Sequence, residues 1–138
     1  MWWTGNERDL LIGAVNLADR SVARFPDVNW PATKNWPELD DGYPTHAPVG
    51  RFAPNPFGLH DVCGNLQEWC RNAYDAGNWD PELAPSDSRK PAVRGSSYQA
   101  TAYYARSAAR DLAPAEFASH TLGLRPAREI TGEIRRPK

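Results

Sequence analysis

Asp61, Gly64, Leu66 and Glu68 follow one another at steps of three, two and two within "NPFGLHDVCGNLQEWC", residues 55–70. Oxygen at such intervals suits a segment wrapped around a hard cation, with carboxylates at the two ends, backbone carbonyls between them, and glycine where the turn is tightest. Calcium is the cation such a loop would take, because it accepts roughly six to eight oxygens in adaptable geometry, whereas magnesium demands a near-octahedral set. The same spacing describes an ordinary Gly-Asn turn with Glu68 as a surface or capping carboxylate, and on spacing alone that is the commoner outcome. A second group stands upstream: Asn16 with Leu17, and, in "DDGY" at 40–43, Asp41 with the carbonyl of Tyr43. Asx-Gly turns account for it as readily.

Other chemistry-bearing residues form weaker constellations. Cys63 and Cys70 are seven residues apart, which is neither a disulfide framework nor a C-x2-C zinc pattern; they read as buried thiols or a local disulfide. His46, His60 and His120 are scattered among loops, and an iron site would need two of them converging with a carboxylate. Ser96, Ser97 and His120 lack the strand-to-helix setting of a G-x-S-x-G nucleophile. Arg94, Arg106, Arg110 and Arg125 read as loop fasteners bonded to carboxylates and carbonyls rather than as anion binders. No catalytic residue is assigned.

These groups must be held by a chain with few regular elements. Thirteen prolines and ten glycines are spread along 138 residues, which disfavours long helices. Residues 7–24 place Leu10, Leu11, Ala14 and Leu17 at helical spacing, but Gly13 and Asn16 interrupt them, so a short helix or turn is expected. Residues 25–56 contain seven prolines and read as loop, with Trp30, Trp36, Tyr43 and Phe52 packing back onto the core. Residues 71–91 read as a further connection. "AVRGSSYQA", residues 92–100, reads as a strand meeting a Gly-Ser turn, whereas 102–112 fits strand or helix equally. "HTLGLRPAREI", 120–130, reads as a terminal strand pinned by Leu122, Leu124 and Ile130. The class is α+β with little regular structure.

Length allows one domain. A net charge of −1 gives no footprint for nucleic acid. Nowhere do about eighteen apolar residues run together, and the start lacks the pattern of an export signal, so no membrane partner is expected and the compartment is cytoplasmic by default. Six Trp among 41% hydrophobic residues supply the buried area that sparse aliphatics cannot.

"APVGRFAPNPFGLHDVCGNLQEWC", followed in order by "AVRGSSY", "ARSAAR" and "LGLRPA", resembles the formylglycine-generating enzyme (sulfatase-modifying factor) family. "WWTGNE" and "VNLADRS" are similar to its "WGNE" and "AN.AD" segments, so the resemblance runs from about Trp3 to Arg128. It implies a C-type-lectin-like fold over residues 1–130, incomplete at its N-terminus, with 131–138 a polar tail. It also implies two structural calcium ions. One would be held by the side chains of Asn16 and Asp41 with the carbonyls of Leu17 and Tyr43; the other by the side chains of Asp61 and Glu68 with the carbonyls of Gly64 and Leu66, and Trp69 packed beneath.

One departure from the family pattern bears on activity. The oxidase members bind copper(I) through two cysteines between the "RGGS" and "R.AAR" landmarks, and this interval here is "YQATAYYA". Two thiolates suit that soft ion and little else replaces them, so copper is not expected. The resulting expectation is a non-catalytic, calcium-braced domain that binds a peptide, protein or small ligand between Arg94 and Arg125. Ser97, Tyr98, Gln99, Thr101, Tyr103 and Tyr104 are the contact candidates, the tyrosines offering large area at little entropic cost or, equally, packing in the core. The alternatives are part of an oxidoreductase acting on a substrate cysteine, completed by a missing N-terminal segment or partner, and a diversified retroelement binding protein.

Overall fold

The computed structural model describes residues 1–25, 29–75, 84–86 and 89–127. Its regular structure is sparse. Three short 3-10 turns, Arg8–Leu11, Arg20–Arg24 and Pro31–Asn35, precede a four-stranded sheet of β1 (Gln67–Ala73), β2 (Pro91–Arg94), β3 (Asp111–Leu112) and β4 (Leu122–Gly123). The spatial order is β3-β2-β1-β4. β2 is antiparallel to both β1 and β3, and β4 runs parallel to β1.

The amphipathic stretch 7–24 forms two separate 3-10 turns. Gly13 adopts φ +77°, a left-handed conformation that ends any helix at that point. Asp19 opens the second turn by accepting from the Ser21 N–H at 2.8 Å, the usual N-cap arrangement. Leu11, Ala14 and Leu17 are buried as the spacing requires, while Leu10 faces outward. The proline-rich loop behaves as expected: Trp36 and Phe52 are buried, and Trp30 and Tyr43 are half-buried. Each of the latter rings leans on another, Trp30 on Tyr98 at 5.6 Å and Tyr43 on Phe52 at 6.1 Å.

The strand expected at 92–94 is β2, and the turn after it uses positive φ at Gly95 and Ser96. Residues 102–112 are mostly turns, with only Asp111–Leu112 paired to β2. β1 goes beyond the sequence reading: Gln67 and Glu68, the end of the candidate cation loop, run on through Trp69 to Ala73 as a strand. Between Trp69 and Ala73 its register against β2 shifts, a bulge that bends the strand. The C-terminal strand is shorter than expected. Pairing with β1 stops after Gly123, and Leu124 is 76% exposed; Ile130 and the tail 131–138 lie outside the described residues.

The main core does not lie on the sheet. Leu11, Val15, Leu17, Trp36, Leu39, Cys63 and Ala105 form one buried cluster, with Trp2, Trp3, Val62 and Ala102 packed against it. Irregular segments from four parts of the chain thus share one hydrophobic interior, each contributing one to three side chains. No helix among the described residues is long and apolar enough to cross a membrane.

Candidate cation sites and the ligand face

Asn65 ties the two candidate cation loops together. Its backbone sits at φ +62° directly after Gly64 at +79°. The Asn65 N–H donates to the Asn16 carbonyl at 2.8 Å, and its side-chain Oδ1 accepts from the Ala47 N–H at 2.9 Å and from Asn16 Nδ2 at 3.1 Å. Gly64 must be glycine: a Cβ there would stand 2.2 Å from the Asn16 carbonyl oxygen. The loop at 61–66 is therefore pressed against the loop at 16–17 by backbone contact. An asparagine after glycine looks like any turn former in a sequence, which is why this junction is not legible there.

In the first set Asp41 bonds the backbone of both Leu17 and Tyr43. Asp41 Oδ2 accepts from the Leu17 N–H at 3.0 Å and Oδ1 from the Tyr43 N–H at 2.8 Å. Asp19, which the sequence reading passed over, is fully buried beside it and accepts from the Asp41 N–H. Burial, with the neighbouring Asp19 charge adding, pushes the Asp41 carboxyl up to about 7 against the pull of the Tyr43 and Leu17 N–H groups. Two carboxylates together out of water favour either a proton or a counter-cation. Asn16 donates through Nδ2 to the Thr45 carbonyl at 2.8 Å, leaving its buried Oδ1 without a partner. No described residue donates to the carbonyls of Leu17 or Tyr43.

Asp61, Leu66 and Glu68 line one cleft of about 220 Å³ with Asn65 and Arg125; Gly64 stands behind it against Asn16. Asp61 holds φ +55°, an unusual conformation for a residue with a Cβ. Its Oδ2 accepts from the Gly50 N–H at 2.7 Å and its buried Oδ1 has no partner. Glu68 differs. Arg125 grips it in a bidentate pair at 2.8 and 2.7 Å and also donates to the His60 carbonyl at 2.8 Å. The Glu68 hydrogen bond raises the Arg125 pKa further. Arg125 is thus the loop fastener expected of it, and Glu68 already faces a cation. Trp69 is half-buried on β1, paired with Val93.

Both sets present amide, carbonyl and carboxylate oxygens rather than nitrogen or sulfur. Among the described residues no three His, Cys, Asp or Glu side chains cluster. The donor chemistry therefore suits a hard cation and offers nothing to a soft one. Among the described residues four buried side-chain atoms lack hydrogen-bond partners, and two of them are Asn16 Oδ1 and Asp61 Oδ1, one in each set.

Comparison with known proteins gives this arrangement a context. Residues 14–130 match the family of sulfatase-modifying factor enzyme 1-like domains. The chain belongs to the sulfatase-modifying factor family. A formylglycine-generating enzyme of Thermomonospora curvata is 42% identical over 52 residues, 38% of this chain and 17% of that protein. One from Streptomyces coelicolor is 31% identical over 115 residues, 77% of this chain and 34% of that protein. Among solved structures, PvdO from Pseudomonas aeruginosa superposes with a TM-score of 0.55 at 27% identity, over 62% of this chain and 34% of that one. The chain thus spans about a third or less of the relatives it matches.

In this sulfatase-modifying-factor domain Cys63 and Cys70 are free thiols. Cys63 is part of the core, and burial pushes its thiol up to about 11. Cys70, half-buried on β1, is also raised by burial. Neither is poised as a thiolate. The serine-histidine idea fails on geometry: the Ser96 Oγ is buried without a partner, the Ser97 Oγ accepts from the Gln99 N–H at 3.4 Å, and His120 Nε2 faces the Gln99 amide at 3.2 Å. The other histidines bond backbone, His46 to the His120 carbonyl and His60 to the Phe52 carbonyl.

The expected ligand residues divide into three groups. Ser97 and Tyr98 are buried, so neither is a surface contact; Tyr98, only 3% exposed, packs its ring against Trp30, His46 and His120. Gln99 and Thr101 are half-buried. Tyr103 and Tyr104 are the exposed pair, at 60% and 61%, set edge to face with ring centres 5.3 Å apart.

Proposed function

We propose that this chain is a non-catalytic sulfatase-modifying-factor domain of C-type-lectin-like build, braced by calcium and used to bind a ligand. The observation that carries the calcium reading is the pair of buried, unpartnered oxygens, Asn16 Oδ1 and Asp61 Oδ1. An orphaned buried acceptor costs about 1–3 kcal/mol, and each lies in one of two sets otherwise made of hard oxygen donors. Asn16 and Asp41 with the Leu17 and Tyr43 carbonyls would hold one ion. Asp61 and Glu68 with the Gly64 and Leu66 carbonyls would hold the other, Glu68 sharing its charge with Arg125. The ions would supply cross-links between loops that have few hydrogen-bonded elements of their own, as bound metal does wherever it favours the folded chain.

The non-catalytic reading rests on residues 98–105, which contain no cysteine, and on two thiols elsewhere held protonated by burial. Ligand contact falls to Tyr103 and Tyr104, with Thr101 and Gln99 at their flank. Calcium analysis after exhaustive dialysis, joined to melting with and without a chelator, tests the brace: the expected result is bound calcium and a lower Tm on chelation. No retained calcium and an unchanged Tm would remove it.

The kinship with proteins named formylglycine-generating enzyme favours one rival, oxidation of a substrate cysteine with the missing groups supplied from outside this chain. Copper-loaded assay on a cysteine-bearing peptide decides between them; no turnover is expected, and turnover would defeat the non-catalytic reading.

A further inference from the structure

A cleft of about 270 Å³ opens between the N-terminal segment, the 3-10 turn Pro31–Asn35 and the turn at 101–106. Its walls are aromatic and apolar. Trp2 is fixed by its indole N–H, which donates to the Ala102 carbonyl at 2.8 Å, and Trp36 is a buried core residue. Two guanidinium groups stand in the same lining. Arg8 lies over the Trp36 ring at 4.8 Å and donates one N–H to the Asn35 carbonyl at 2.9 Å. Arg106 lies over the Tyr103 ring at 3.8 Å and donates its Nε–H to the Tyr103 carbonyl at 2.7 Å.

Neither arginine is paired with a carboxylate among the described residues, whereas Arg20 and Arg24 reach Asp40 and Arg125 reaches Glu68. No described residue lining the cleft is acidic. Stacking and a single hydrogen bond hold each guanidinium in place while leaving most of its five N–H donors unspent. Planar donors fixed in advance lose little entropy when an anion arrives.

We propose that this cleft binds a small organic anion, its aromatic or aliphatic body against Trp2 and Trp36 and its carboxylate on the free donors of Arg8 and Arg106. The size and lining match a small-molecule site at the lower end of the usual range, and the charge selects the anion. The proposal deepens the ligand-binding part of the reading above, since Thr101 and Tyr103 line the same cleft, and it does not depend on the cation sites.

The test titrates the full chain with indole-3-propionate and with its neutral primary amide, following the Trp2 and Trp36 indole N–H signals by NMR. The acid should saturate both signals and bind about tenfold more tightly than the amide, as a charge-assisted bidentate contact requires. Arg8→Gln and Arg106→Gln should each bring the acid toward the amide, with signals away from the cleft unmoved to show that the fold is intact. Equal binding of acid and amide, or no shift at Trp2 and Trp36, overturns the proposal. A peptide that binds through Tyr104 when neither small compound does would sink the anion cleft and leave the broader ligand-binding reading standing.

Discussion

At the scale of single residues the loop junction is unusually intolerant. Gly64 and Gly13 share a left-handed backbone, at +79° and +77°, yet a Cβ on Gly13 would meet nothing within 4 Å while one on Gly64 would strike the Asn16 carbonyl. Gly13→Ala should therefore cost only the conformational penalty, about 1–2 kcal/mol. Gly64→Ala adds a backbone clash and should cost on the order of 4 kcal/mol or prevent folding. Urea denaturation of the two variants separates the terms; equal losses would mean the 16–17 and 61–66 loops are not pressed together. Asp41 gives a pH signature. Its folded pKa is raised from 3.8 to about 7, so in chelator its contribution to stability is complete below about pH 4 and is lost as pH rises through 7. Excess calcium should flatten that fall by favouring the ionised carboxylate, and thermal melts across pH 4–8 with and without the ion would show it. Cys63, pushed up to about 11 by burial, should resist iodoacetamide at pH 8 in the native protein and react promptly in denaturant.

At the scale of elements, β1 is where the chain hides its structure. "QEWCRNA" alternates no clear apolar face, so period-2 reading has nothing to find; the segment is a strand because β2 and β4 flank it, a fact set by residues about twenty and fifty positions away. β2 was legible because "AVRG" joins β-branched and apolar residues to a glycine turn. The spacing singles out the candidate cation-loop residues, and the structure puts the Asp41 carboxylate on the Leu17 N–H, but the contacts of Asp19 and Asn65 depend on burial that no spacing reveals. The grip of Arg125 on Glu68 joins the segment after β4 to β1. With side chains 36% and 26% exposed, solvent screens it, and a double-mutant cycle of Arg125→Gln and Glu68→Gln should return a coupling of about 1–2 kcal/mol at low salt. A coupling near zero would show that the strand pairing alone holds this edge.

At the scale of the molecule, a core drawn from residues 11–17, 36–39, 63 and 105 forces the loops to fold as one unit. None of these segments can bury its side chains unless the others are in place, and the sheet contributes little to that interior. Trp36 lies within this core, whereas β1 and β2 supply most of the regular backbone pairing. Trp69 lies on β1, so with Trp69 replaced by phenylalanine tryptophan fluorescence leans toward the core while far-UV circular dichroism follows the sheet. If the interior is shared, the two thermal transitions coincide in that background. Leu11→Ala, which empties a fully buried position in the cluster, should then lower both by the same amount, about 2–5 kcal/mol. A variant whose fluorescence transition falls while the dichroism transition stays would mean that the sheet folds without the core, and that the loops need an ion or a ligand rather than one another to become ordered.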